Sequence, residues 1–397
     1  MLSLLAIVAL QIAPVPPSQP APTEALATSA RYPDSAYFLR REIAAALDAK
    51  DPARLAAAAN RLASLGYLPR ASTIAQIAQR LPPADAEALR RRFLANRRVR
   101  SAARQIAAIG PEQALVEGVA WDAAHRRLFA TAVLRRALLM SDGAQWRKVP
   151  DLDVGGLSGI AIDAPRHLLW LSSTSTTQTP NRLTAFRGLV ALDLDTLREV
   201  RRVAVTNEGS PFDLAVGPDG TVYASESQRG LVYRLGPNDQ ALSILVRRGA
   251  LTSPQGLVPA ADGKRLYVAD YAMGVMVVNL ADGSVAPLPS AAGTMLDGVD
   301  GLVGYRGDLI AIQNGTSPRR ILRLVLDGAG TTSLRAEVLE SEAAGWGEPT
   351  LGVIRDDSLL YVDGQGPRYD LNGKLIGKAP LAPTVIRALP LGGKKTR

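Results

Sequence analysis

The chain has 397 residues, no Cys and a net charge of +9. That length gives room for one large domain or two modest ones, and a 47% hydrophobic fraction excludes global disorder. Without Cys there is no disulfide, no thiolate metal site and no Cys nucleophile. The charge is uneven: residues 31–104 carry 15 Lys/Arg against 6 Asp/Glu, whereas residues 105–397 carry 31 against 30. The basic character therefore belongs to the N-terminal segment, and the remainder is close to neutral.

Residues 1–13, MLSLLAIVALQIA, form an apolar run of signal-peptide length that is too short to span a bilayer, so no transmembrane span is expected. The run lacks a basic flank. Ala25-Leu-Ala27, following the Pro-rich stretch Pro14–Pro22, nevertheless matches a small-x-small cleavage pattern. Residues 1–30 read as a signal peptide or disordered Pro-rich leader, and the protein as exported, periplasmic or secreted.

From residue 31 to about 108 the pattern has helical period, rich in Ala, Leu, Arg and Ile. Pro33-Asp34 and Asp51-Pro52 predict helix starts with Asp as N-cap, Gly66 ends the second helix, and Pro82-Pro83-Ala84-Asp85 separates a third from a fourth. Four helices in two hairpins result, similar to a degenerate tetratricopeptide-type array. Two hairpins are few for a free-standing repeat domain, so the segment is expected to pack on the larger C-terminal part of the chain. The last helix is expected to carry Arg90, Arg91, Arg92, Arg97, Arg98, Arg100 and Arg104. This is either a solvated face or a site for anionic lipid or an acidic protein partner. No aromatic residues interleave the arginines, so no nucleic acid is expected.

Residues 109–391 repeat one unit six times: an anchor, a short strand, a turn and a second apolar run. Leu251–Leu280 shows it best, with strands at Gly256–Val258, Arg265–Ala269 and Val275–Asn279 around Gly-containing turns. The anchors Glu117, Ser158, Asp213, Gln255, Asp300 and Thr350 lie about 41–55 residues apart, the period of four-stranded propeller blades. The fold class is mainly β: a six-bladed β-propeller preceded by a small α-helical segment. Ring closure falls either to Thr384–Leu391 or to the segment before Glu117, and residues 392–397 form a basic, disordered tail.

A hairpin brings the start of its first strand and the end of its second to one end of the sheet. The anchors therefore share a channel mouth with Ser172, Glu226, Asp270, Gln313, Asn314 and Asp363. Converging carboxylates repel, and a divalent cation relieves the repulsion; an all-oxygen ligand set favours Ca²⁺, Mg²⁺ or Mn²⁺. Asp213 and Asp270, with Ser158 and Asn314 beside them, are the expected contacts to ligand hydroxyls. Glu348, near the sixth anchor, is a further rim acid or a strand-entry residue. Asp142, Asp219, Asp262 and Asp282 sit in Asp-Gly turns and are assigned to them. The histidines, His125 and His167, fall in turns at the opposite end, which disfavours His-based hydrolysis.

The segments Glu117-Gly-Val-Ala-Trp-Asp122, Pro254-Gln-Gly-Leu257 and Asp300-Gly-Leu302 resemble the metal-site motifs of the gluconolactonase and regucalcin family of six-bladed propellers (senescence-marker-protein, NHL-like). The resemblance covers about residues 109–380. It implies that Glu117, Gln255 and Asp300 bind one divalent cation and that Asp300 is the catalytic base or orients water for lactone hydrolysis. Gln255 stands where the family has Asn, and Phe212 stands before Asp213 where it has another Asn. SPQGL, VADY, DGVDGL, IQNG and GEPTLG also look like segments of bacterial proteins that join tetratricopeptide-like helices to such a propeller. The expected function is therefore a propeller binding a divalent cation and a small oxygen-rich molecule, with hydrolysis of a lactone or ester. The alternative is a non-catalytic binding or scaffold propeller acting through protein–protein contacts.

Overall fold

The computed structural model describes residues 28–392 except 144, 207, 208, 344, 371 and 379. Most of the expected leader and the basic tail beyond residue 392 lie outside the described residues. Four helices open the fold: α1 (Ala36–Asp48), α2 (Pro52–Ser64), α3 (Ala71–Ala78) and α4 (Pro83–Ala95). Asp51 caps α2, accepting from Arg54 N at 3.0 Å with Pro52 in the first turn. At α1 the cap is Ser35, not Asp34, with Phe38 N 3.3 Å from its hydroxyl. Asp34 instead receives Arg61 on one oxygen and Gly293 N on the other.

The apolar stripes of the helices meet in one core around Leu39, Ile43, Leu55, Leu62, Ile77 and Phe93, which Met295 of the propeller closes. Each such side chain, fully buried, contributes about 1.5–3 kcal/mol. The helical segment is thus held on the propeller by a shared core as well as by polar ties. Ser35 Oγ donates to Ala272 O at 2.8 Å, and Leu68 N to Ser317 O at 2.6 Å.

The expected helical reach to residue 108 is corrected: α4 ends at Ala95. Beyond it the backbone turns to the propeller edge, where Arg100 and Ser341 exchange N–H···O bonds of 2.8 and 2.9 Å. Edge pairing satisfies donors that a helix would otherwise use, so Arg97, Arg98 and Arg100 lie outside the helix. Arg104 begins a strand, Arg104–Ile109.

Six four-stranded antiparallel sheets form the ring. Their inner strands are Val116–Asp122, Gly156–Asp163, Leu214–Val216, Pro254–Pro259, Val299–Tyr305 and Glu348–Arg355, heading blades 1 to 6. Both expected closing segments take part. In blade 6, Thr384–Pro390 is the third strand and Arg104–Ile109 the fourth, paired from Arg104↔Ala388 to Ile109↔Thr384. The N-terminal strand therefore latches the C-terminal blade.

The Xaa-Gly form of the anchors has a packing cause. A Cβ on Gly118 would lie 2.6 Å from Ser158 O, one on Gly159 2.7 Å from Phe212 O, and one on Gly301 2.5 Å from Thr350 O. Each glycine lets the next inner strand come against its backbone. In blades 1, 2, 4, 5 and 6 the ladder also shifts register at the anchor, and such bulges re-aim a side chain. Hydroxyls lock the joints: Thr131 Oγ1 donates to Ser158 O at 2.5 Å, and Thr350 Oγ1 to Glu117 O at 2.7 Å.

Candidate functional site

At the anchor end of the channel four carboxylates from four blades act on one another. Glu117 of blade 1 is pushed well above the usual carboxylate range by burial, then by Asp300 and Glu348. Asp213, just before the inner strand of blade 3, rises to about 7 through burial and the charge of Asp300, against a bond from Leu214 N. Glu348 of blade 6 rises to about 7 by burial and by Asp300, with Arg319 opposing. Asp300 of blade 5 rises to about 6 by burial, held back by its bond from Asn314.

None of the four is in an ion pair among the described residues, unlike several other buried acids of the blades. Asp122 has Arg127 at 2.8 Å, Asp308 has Arg323 at 2.7 Å and Asp363 has Arg387 at 2.8 Å. Desolvated charge of one sign, only partly offset by its neighbours, is the arrangement a bound cation or a proton relieves.

Asp300 is held from behind. Asn314 Nδ2 donates to Asp300 Oδ2 at 2.7 Å, and Asn314 Oδ1 accepts from Tyr271 OH at 3.0 Å. Burial first, then Asp300 and Glu348, push the Tyr271 phenol well above its ordinary value, so it remains a donor. Asn314 is thus occupied in positioning Asp300.

The other expected residues separate. Ser158 is buried at the rim, its carbonyl engaged by Thr131. Gln255 is buried and donates from Nε2 to Ser253 Oγ at 3.0 Å. Asp270, expected to meet ligand hydroxyls, serves the turn instead: Thr252, Ser253, Ala272 and Met273 N–H groups reach its two oxygens at 2.7–3.0 Å. Four backbone donors leave it little capacity for a ligand. Sequence reasoning left Glu348 undecided and missed Tyr271. The signals for them were the GEPTLG and VADY segments, in which an acid or a phenol stands at a strand end.

The inner strands also line a cavity of about 400 Å³, walled by Val119, Ile160, Leu257, Leu302 and Leu351 among others, with Asp213 its one ionisable lining residue. The histidines lie at the far end, where His125 meets Asp122 at 2.8 Å and Asp195 at 3.2 Å. Among the described residues no three His, Cys, Asp or Glu side chains stand close enough to form a ready metal cluster. The donor set is nevertheless all oxygen, and among the described residues no hydrogen-bond donor to the carboxylate of Glu117 is found. The surface expected to face a partner exposes Arg91, Arg97 and Arg98 beside Leu94 and Val99, while Arg92 is tied to Asn60.

No protein-family model matches the chain, and no curated protein matches it in sequence. Among solved structures, a gluconolactonase from Xanthomonas campestris is similar over 73% of this chain and 95% of its own, at 19% identity and a TM-score of 0.50. A PQQ-bound aldose sugar dehydrogenase from Streptomyces coelicolor is similar over 73% and 97%, at 16% identity and a TM-score of 0.48. The fold is that of a six-bladed, gluconolactonase-like β-propeller with helices before its first strand.

Proposed function

We propose that the mouth of this propeller binds a divalent cation and a small oxygen-rich molecule and hydrolyses a lactone or ester there. The observation that carries this reading is the group of desolvated, unpaired carboxylates Glu117, Asp213, Asp300 and Glu348. Glu117, Asp300 and Glu348 would hold the cation, with Gln255 beside them as the family resemblance implies. When bound, such a cation polarises a carbonyl oxygen and lowers the pKa of water.

The chain's own contribution is placement and proton handling. The bond from Asn314 holds the carboxylate of Asp300 in place. Asp213, with a pKa of about 7, is suited to accept and return a proton at neutral pH. Ser158 offers a hydroxyl at the rim, and the cavity beneath is lined mainly by apolar side chains. The test is hydrolysis of glucono-1,5-lactone and related lactones by the full chain, followed by proton release at constant pH. Asp300→Ala should abolish turnover while the fold is kept. Unchanged turnover in that variant contradicts the assignment.

One observation favours the rival reading, a non-catalytic binding or scaffold propeller: no three acidic side chains are arranged as a ready chelate among the described residues. Cation binding without turnover of any lactone would support that reading.

A further inference from the structure

Among the described residues of the helical segment, two large apolar side chains are left in the open: Leu94, 45% exposed, and Val99, 66% exposed. Both line one groove of about 460 Å³, where α3 and the end of α4 meet blade 5. Leu68, Ile74 and Pro318 extend its apolar lining. Pro318 belongs to the loop that follows the second strand of blade 5, so the groove lies at the anchor end of the ring.

The same groove carries Arg70 and Arg97, both exposed. On α4, Arg90 and Arg91 precede Leu94 by four and three positions and so share its face. The turn after the helix, closed by a bond from Arg97 N to Leu94 O at 3.1 Å, brings Arg97 round beside them. Arg91 and Arg97 are in no ion pair among the described residues, and Arg90 meets Glu87 at 3.6 Å with both side chains exposed. The acid of the groove, Glu342, is committed to blade 5, where its carboxylate accepts from Arg319 N at 2.8 Å. Arg70, Arg90, Arg91 and Arg97 against Glu87 and Glu342 leave the patch net positive.

A partner for this patch must offer negative charge and apolar surface side by side. The interface of an anionic membrane does so, with phosphates for the guanidiniums and hydrocarbon just beneath them for Leu94 and Val99. A peptide adding itself as a strand needs a free backbone edge, and the backbone here is engaged. Arg100 and Ser341 exchange two bonds, and Leu68 N donates to Ser317 O. The wider charge agrees, since residues 31–104 carry 15 Lys/Arg against 6 Asp/Glu and their summed field favours approach to a negative surface.

We infer that the helical segment docks on an anionic lipid surface, with Leu94 and Val99 entering the interface and Arg70, Arg90, Arg91 and Arg97 on the headgroup phosphates. The inference is independent of the chemistry at the carboxylate mouth. It gives the helices a role that the propeller alone cannot fill, which is to hold the anchor end of the ring at a membrane.

The test is co-sedimentation of the full chain with vesicles of phosphatidylcholine alone and of phosphatidylcholine and phosphatidylglycerol in equal parts. The mixed vesicles should bind at least about tenfold more tightly, and the difference should vanish near about 1 M salt, where the Debye length shrinks to about 3 Å. Each basic side chain near an anionic surface is worth about fivefold in affinity, so Arg91→Gln/Arg97→Gln should weaken binding about twenty-five-fold. Leu94→Ser/Val99→Ser should weaken it about tenfold and leave its salt dependence as it is. Arg247→Gln/Arg248→Gln removes two exposed charges just after the outer strand of blade 3, outside the patch, and should leave binding nearly unchanged. Every substituted side chain is exposed, so the variants should melt with wild type. Equal binding to both vesicles, binding to neither, or an equal loss in the blade 3 control overturns the inference. Binding to poly-glutamate without binding to vesicles would assign the patch to an acidic protein and overturn it as well.

Discussion

Asn314 donates its side-chain amide to Asp300 across 2.7 Å, joining the end of the second strand of blade 5 to the anchor of its first. The same side chain accepts from Tyr271 of blade 4. An acid that looks solitary in the sequence is therefore the end of a relay across two blades.

Breaking that relay should cost stability in a definite order. Asn314→Leu leaves a buried carboxylate and a buried phenol without their shared partner, a loss of about 1–3 kcal/mol. Tyr271→Phe removes one neutral bond, about 0.5–1.5 kcal/mol. Urea unfolding should rank Asn314→Leu as the more damaging, and the reverse order would contradict the relay.

The pH dependence follows from the direction of the shifts. Asp213 and Glu348 titrate at about 7 and Asp300 at about 6 in the fold, against about 4 in an unfolded chain. Folding favours their protonated forms. Their contribution is thus complete below about pH 4 and lost as pH rises through 6 to 7. In chelator, Asp213→Asn and Glu348→Gln should melt above wild type at pH 8 and close to it at pH 4. Variants that melt lower at both pH values would contradict this assignment.

The blade joints should not tolerate a methyl group. A Cβ at Gly301 would stand 2.5 Å from Thr350 O, and one at Gly256 2.8 Å from Asp300 O. Gly301→Ala and Gly256→Ala should each destabilise by about 1–3 kcal/mol. Thermal melting would reveal this, and a neutral effect would mean the strands can part without cost.

Docking of the helices turns on Asp297, which accepts from Ala36 N and Tyr37 N. Asp297→Ala should cost about 1–3 kcal/mol and speed amide hydrogen exchange across Ala36–Asp48, leaving the inner strands of blades 1 to 3 protected. Unchanged exchange in α1 would show that the apolar core alone holds the helices.

The blades were legible because each Xaa-Gly anchor meets the same steric demand, a backbone pressed against the next inner strand, and so leaves a periodic mark. Asp51-Pro52 was legible as a helix start because capping is local. Glu117, Asp213 and Asp300 could be placed at the mouth because strand ends share a rim. Asp270 could not be told from a ligand-binding acid, because a turn that donates four N–H groups has the same composition as one that donates none. Asp297 was invisible as a docking residue: Ala36, whose N–H it accepts, is 261 positions away in the chain, and only docking of α1 brings them together. The outer strand at Arg104–Ile109 was hidden by the helical periodicity before it.

The most direct measurement is thermal melting of chelated protein titrated with Ca²⁺ and Mn²⁺, beside the Glu117→Gln/Asp300→Asn double variant. A ligand that binds only the folded state raises the melting temperature once its concentration exceeds its dissociation constant. A saturable rise is expected for wild type and none for the double variant. No rise with either ion, or an equal rise in the double variant, would contradict a cation at the carboxylate mouth.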